Sequence, residues 1–73
     1  QNIKFIYSDH AKNRMKRRDI EEWEVEHVLE FPSYTKKSFD GRIESIGSVK
    51  NRTLKIVFIK LENYIKIITV ILK

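Results

Sequence analysis

Pro32 divides the sequence into two parts whose apolar residues repeat with different periods. Before it, apolar residues tend to lie three or four positions apart, as on one face of an α-helix. After it, they alternate with polar residues, as in β-strands. Proline also disfavours helical geometry in the residue that precedes it, so a helix is expected to end here. The sequence therefore predicts helices before this residue and a sheet after it.

A short strand and a first helix are predicted at the start of the chain. The stretch Ile3–Tyr7 alternates weakly, as a strand does. Ser8 or Asp9 can then accept backbone N–H bonds as the N-cap of a helix. That helix is predicted to extend to about Arg18, and it is almost wholly basic outside one narrow apolar stripe.

A second helix is predicted from about Ile20 to Phe31. Asp19, with Glu22 three residues later, has the spacing of a capping box and is predicted to cap the start of this helix. The helix carries five glutamates, so a strongly basic helix is followed by a strongly acidic one.

The part of the chain after Pro32 predicts three further strands. They are Arg42–Val49, Thr53–Ile59 and Tyr64–Leu72, with turn-forming residues at 50–52 and 62–63. The last strand is apolar on both faces, which indicates a central place in the sheet, a covering layer or a homodimer contact. The sequence therefore predicts an α+β fold of order β-α-α-β-β-β, with both helices packed on one face of an antiparallel meander sheet.

Length and composition limit the classes of protein to consider. The 73 residues predict a single domain over residues 1–73. There is no cysteine, which excludes disulfides and cysteine-based zinc sites. No apolar stretch approaches the roughly 18 residues of a membrane helix, and no signal-peptide pattern opens the sequence. We expect a cytoplasmic protein without a membrane segment.

The charge balance predicts an anionic partner. The formal net charge of +5 at pH 7 attracts polyanions, with nucleic acid as the first candidate. A charge of this size also serves solubility alone in many small domains. The placement of the cations is therefore more informative than their total.

A cationic ridge on the first helix is the main candidate site. Helical spacing brings together one histidine and three arginines, namely His10, Arg14, Arg17 and Arg18. Arginine offers a planar fork of donors to phosphate oxygens, and a histidine beside it can transfer a proton. The alternative is an ordinary polar histidine in the first turn of a helix, bonded to backbone or water.

Further cations and aromatic residues extend this candidate surface. The first two strands of the meander and their turn carry a second basic set: Arg42, Lys50, Arg52 and Lys55. Aromatic candidates for base stacking are Tyr34, Phe39 and Tyr64, although aromatic residues in so small a chain also serve as core. No metal or cofactor is predicted, because most carboxylates surround one helix and no glycine-rich phosphate loop is present.

The second helix has two separate apolar groups. Val25, Val28 and Leu29 form the predicted core face. The other group, also at helical spacing, comprises Trp23, His27 and Phe31. If this second group is exposed, it marks a protein-binding surface, and if the helix is wedged between layers, it is core.

The stretch HAKNRMKRRDI, residues 10–20, resembles the pattern H-A-x-x-R-M-x-x-R-x-I of the prokaryotic DUF4258 family, a domain of unknown function. The segments RTLKIVFI and IITV are similar to later parts of that family, so the resemblance extends from about Ser8 to Leu72. The family in turn resembles the RelE/ParE-like toxins and, among them, the BrnT-type ribonuclease toxins. Asp19 departs from the pattern, since the family often has glycine there.

This resemblance implies RNA cleavage by the substrate's own 2′-OH, without a metal ion, and inhibition by an acidic antitoxin protein. His10 is then the expected general base or acid, and Arg14 and Arg52 stabilise the charge that builds up on the phosphate. The RNA backbone is expected to contact Lys12, Lys16, Arg17, Arg18, Arg42, Lys50 and Lys55. Two alternatives stay open: a nucleic-acid-binding module without catalysis, and a partner protein whose basic face docks an acidic antitoxin tail.

Overall fold

The computed structural model describes residues 3–38 and 40–73. Within these residues the chain forms five strands and two helices. In chain order they are β1 (Lys4–Tyr7), α1 (Asp9–Arg18), α2 (Glu22–Glu30), β2 (Tyr34–Lys37), β3 (Ile43–Val49), β4 (Arg52–Lys60) and β5 (Tyr64–Leu72). Strand β2 was not predicted from the sequence, because its residues, YTKK, are all exposed and show no apolar alternation.

The α+β class predicted from the sequence is confirmed, since two helices pack against one sheet and share a single core with it. The prediction of a strictly antiparallel meander sheet was wrong. The sheet is mixed, in the order β1-β5-β4-β3-β2, and β1 pairs with β5 in parallel. The two helices carry the chain from β1 to the far edge of the sheet, and the following antiparallel hairpins return it to β1.

The core lies between the two helices and one face of the sheet. Its fully buried apolar side chains outside α1 come from α2, β4 and β5: Val25, Val28, Leu54, Ile56, Ile67 and Val70. Helix α1 adds Ala11 and Met15, the narrow apolar stripe that the sequence predicted. Because the core is small, each of these contacts is a large share of a stability of only a few kcal/mol.

Strand β5 contains a β-bulge at Ile68. Val57 of β4 pairs with Thr69, but the next residue, Phe58, pairs with Ile67, so one residue of β5 is extra. Without the extra residue, strict alternation would turn the buried apolar side chains of one half of β5 away from the core. With it, the buried apolar side chains before and after Ile68 lie on the same face, toward the core. Strand β5 is also interior to the sheet, between β1 and β4, which is one of the alternatives that its apolar character indicated.

The sequence predicted that Asp19 caps the start of α2, but this residue instead ends helix α1. Its backbone is left-handed, with φ 56° and ψ 50°. The N–H of Ile20 donates to the carbonyl of Met15 at 2.8 Å, and that of Asp19 donates to Lys16 at 3.4 Å. These two bonds form a Schellman motif, which satisfies carbonyls at the helix end. The N-cap of α2 is Glu21, which makes no side-chain capping bond.

Asp19→Gly is expected to raise the free energy of unfolding by about 1 kcal/mol, because a left-handed backbone is costly for any residue with a Cβ. Asp19→Ala, which keeps the Cβ and cannot bond locally, is expected to lower it. Urea denaturation of the three proteins, followed by circular dichroism, measures both changes. Equal stability of the glycine and alanine variants would contradict this account of the helix end.

Candidate functional site

A cleft of about 350 Å³ lies where α1 begins, beside the bulge in β5. It is lined by Ser8, His10, Arg42, Ile59, Lys66 and Ile68. Strand pairing explains how distant parts of the chain meet here. Ile59 of β4 pairs with Lys66 of β5, and Arg42 comes directly before Ile43, whose partner on β4 is Phe58.

Ser8 fixes the position of His10 in this cleft. Its Oγ donates to the carbonyl of Ile68 at 2.7 Å and accepts from the N–H of Ala11 at 3.0 Å. Its backbone N–H donates to the carbonyl of Ile67 at 3.0 Å. One residue therefore caps α1 and ties it to the bulged part of β5. The imidazole of His10, two residues further on, is presented to solvent from a fixed helix start.

The cleft combines an imidazole, a guanidinium and an ammonium group over two isoleucine side chains. Arg42 is exposed and pairs loosely with Asp40, with Nε and Oδ2 3.7 Å apart. Lys66 is exposed. The two cations offer donors to phosphate oxygens, and the imidazole offers a group that can take or give a proton. The arrangement can bind an anionic ester and transfer a proton at it.

Lys66 was missed by the sequence reasoning. It is a single lysine within the apolar strand β5, and its register with Ile59 depends on pairing between strands. The only local signal was that this charged residue interrupts an otherwise apolar alternation.

The predicted basic residues of α1 point in different directions. Arg14, half-buried, lies one helical turn after His10, so it is close to the cleft. Lys12 instead lines a different cleft, beside β1 and α2. The remaining predicted cations of this helix are exposed: Lys16, Arg17 and Arg18.

Arg52 lies at the other end of α1 from His10. Its guanidinium donates to the carbonyls of Arg18 at 2.9 Å and Asp19 at 3.1 Å, and to Oε1 of Glu24 at 2.6 Å. Eight residues of helix separate positions 10 and 18, which corresponds to about 12 Å. The structure therefore does not bring the predicted pair of Arg52 and His10 together.

Glu24 is fully buried and is held by two cations. Besides Arg52, Nζ of Lys50 lies 3.2 Å from its Oε2. Burial by itself would raise the pKa of Glu24, but the hydrogen bonds and charges of Lys50 and Arg52 outweigh it and hold the pKa below the ordinary glutamate value. This cluster joins the end of α1, helix α2 and the β3–β4 hairpin, which is a structural role. Beyond the glutamates of α2, no pattern in the sequence indicates this cluster.

Two further predicted groups do not line the cleft. Lys55 pairs with Glu44 at 3.2 Å on the sheet face opposite the core. Among the stacking candidates, Tyr34 is exposed and Tyr64 is half-buried, whereas Phe39 lies outside the described residues.

The aromatic group on α2 is exposed. Trp23 is 49% exposed and Phe31 63% exposed. The rings of His27 and Phe31 are 5.2 Å apart, and Nζ of Lys50 lies 5.7 Å from the centre of the Trp23 ring. The sequence left open whether these residues are exposed or buried between layers, and the structure shows that they are exposed.

Residues 3–38 and 40–73 contain no group of three or more His, Cys, Asp or Glu side chains placed to hold a metal ion. Neither described helix has the length and apolar character needed to cross a bilayer.

Comparison with known proteins places this site in a family. No curated protein and no solved structure matches the chain. The family model of DUF4258, described as a domain of unknown function, matches residues 7–72. That range includes every residue that lines the cleft of His10, Arg42 and Lys66. The chain therefore belongs to the DUF4258 family.

Proposed function

We propose that this protein is an endoribonuclease that cleaves RNA without a metal ion, in the cleft formed by Ser8, His10, Arg42 and Lys66. The observation that carries the proposal is the meeting of a solvent-accessible histidine with two cations, Arg42 just before β3 and Lys66 on β5. A phosphodiester needs cationic donors to bind, and its cleavage needs a group that moves a proton.

In the proposed reaction, His10 removes the proton from a ribose 2′-OH. The 2′ oxygen then bonds to the adjacent phosphorus and the bond from phosphorus to the 5′ oxygen breaks. The 5′ oxygen takes up a proton from water, and His10 afterwards releases its proton to solvent. Arg42 and Lys66 stabilise the negative charge on the phosphate oxygens as this happens. The products are a 2′,3′-cyclic phosphate and a 5′-hydroxyl, so no external nucleophile is consumed.

We assign different roles to Arg14 and Arg52, the two arginines that were expected to be catalytic. Arg14, one turn from His10, supports the charge of the bound phosphate. Arg52 is assigned to the fold, because its donors are occupied by Glu24 and by two backbone carbonyls. The exposed cations of α1 extend the electrostatic attraction for the RNA backbone.

We also propose the biological setting that the sequence resemblance implies. The protein is a cytoplasmic toxin related to the RelE/ParE-like and BrnT-type families, and an acidic antitoxin protein inhibits it. The exposed side chains of Trp23, His27 and Phe31 are the surface we assign to that antitoxin. A homodimer is not required, since one chain supplies every proposed catalytic group.

Incubation of the purified protein with total RNA in excess EDTA tests the activity. We expect cleavage products that end in 2′,3′-cyclic phosphates, and their yield should be unchanged by EDTA. The specific alternative is a binding module without catalysis, which the exposed cations of α1 also favour. It predicts intact RNA. It also predicts RNA binding whose log K falls linearly with the logarithm of the salt concentration, as phosphate contacts require.

A further inference from the structure

Among residues 3–38 and 40–73, strand β1 leaves a free edge on the sheet. It pairs with β5 on one side, and it is the first strand in the sheet order. The N–H of Ser8 donates to Ile67 of β5. Since alternate residues of a strand turn their backbone groups to opposite sides, Phe5 and Tyr7 direct their N–H and C=O groups to the free edge. An unpaired edge of this kind is a template for another strand.

Two clefts run along this edge, between β1 and α2. One has a volume of about 410 Å³, and its lining includes Ile6 and Tyr7. The other has about 340 Å³, and its lining includes Ile3 and Leu29. Phe5 lines both clefts. Ile3 is 53% exposed and Ile6 39% exposed, which leaves apolar surface available beside the unpaired backbone.

A row of glutamates borders the two clefts. Glu22, Glu26 and Glu30 lie four residues apart on α2 and so share one side of that helix. Between them they line both clefts. The ion pairs found among the described residues do not include any of the three. Lys12 also lines the first cleft, so three glutamates face one lysine here. In a chain with a net charge of +5, this edge is therefore a locally acidic groove.

We propose that the β1 edge binds an extended segment of another protein in which basic and apolar residues alternate. The segment adds as a strand beside β1, its apolar side chains enter the two clefts, and its cations face the glutamate row. This is strand addition, in which backbone bonds provide affinity and the flanking side chains select the sequence. The proposal is independent of RNA cleavage, and it concerns a different face from the His10 cleft.

Charge favours such a segment over a second copy of this chain. Antiparallel pairing of two β1 strands would bring the glutamate rows of both copies to one junction, where they repel. Each copy would contribute only Lys4 from its own strand and Lys12 from its first cleft against those three glutamates. A partner with several cations has no such penalty.

The test uses a labelled synthetic peptide of alternating Lys and Val, with binding measured by fluorescence anisotropy. A peptide of alternating Glu and Val is the probe control. Glu30→Lys is expected to weaken binding of the Lys–Val peptide about tenfold. Asp40→Lys makes the same charge change beyond the opposite edge of the sheet, and it is expected to leave binding nearly unchanged. Glu26→Gln, which retains an acceptor for the Tyr7 hydroxyl, is expected to weaken binding less.

Backbone pairing is tested with two further peptides, N-methylated on one or the other set of alternate residues. Strand addition predicts that methylation of one set abolishes binding and methylation of the other does not. The proposal is overturned if the Lys–Val peptide does not bind, or if Glu30→Lys and Asp40→Lys bind it equally. It is also overturned if both methylated peptides bind alike, or if sedimentation shows that the protein itself dimerises through β1.

Discussion

His10→Ala is expected to slow RNA cleavage by about a hundredfold to ten-thousandfold, the usual contribution of a positioned general base. The imidazole is exposed in the cleft with Arg42 and Lys66, and Ser8 fixes the helix turn that carries it. Single-turnover kinetics with a labelled RNA measure the chemical step apart from binding. RNA affinity should change little, since the cations remain.

His27→Ala provides the matched control. His27 is exposed on α2, with its ring packed against Phe31, and it does not line the cleft. Its loss should leave the rate unchanged. Equal rates for parent and His10→Ala would exclude the proposed role.

Arg52→Ala is expected to lower the free energy of unfolding by about 3 kcal/mol or more, as is usual when one partner of a buried ion pair is removed. The change leaves Lys50 as the one remaining cation beside the buried Glu24. It also removes the hydrogen bonds that Arg52 donates to two carbonyls at the end of α1. For a domain this small, such a loss approaches the whole stability. Urea denaturation at low temperature should show a large shift or an unfolded protein.

Lys50→Ala removes the other cation from the same carboxylate and serves as the comparison. The side chain of Lys50 is 52% exposed, against 25% for Arg52, so its loss should cost about 1 kcal/mol or less. A double variant, Glu24→Met with Arg52→Met, should be more stable than Arg52→Ala, because no charge stays buried. Equal losses for Lys50→Ala and Arg52→Ala would show that Arg52 is not the main support of Glu24.

The same cluster predicts how stability depends on pH. The pKa of Glu24 is lower in the folded protein than its ordinary value of 4.5. A carboxyl with a lowered pKa contributes stability above its unfolded pKa, and the contribution is lost as pH falls through the folded value. Thermal melts should therefore show the parent losing stability below about pH 4.5. Arg52→Ala should show a shallower loss over that range, and parallel curves would contradict the assignment.

The helices and the three long strands could be predicted because their signals are local. Ala11 and Met15 lie at helical spacing, and β3, β4 and β5 alternate along their length. Strand β2 and the parallel pairing of β1 could not be predicted, because both depend on strand pairing between parts of the chain that come together only on folding. Asp19 was assigned to the start of α2 because its spacing to Glu22 matches a capping box. The left-handed backbone with which it ends α1 cannot be read from the sequence.

The candidate site was only partly predictable for the same reason. His10 and Arg14 share a helix, so their proximity follows from spacing. Lys66 reaches the cleft through its register with Ile59, which the sequence does not determine. Arg52 looked like a phosphate-binding residue because its main partner, Glu24, lies 28 residues away in the sequence.

The extra residue in β5 makes the length of this strand as important as its composition. Deleting Ile68 would force one half of the strand to rotate. Either Lys66 would turn toward the core, or Val70 would turn toward solvent. Relatives that differ here by one inserted or deleted residue should therefore differ in whether the cleft exists at all, even where its polar side chains are identical. Redesign of the site should begin from backbone length, since side-chain exchange alone cannot rebuild it.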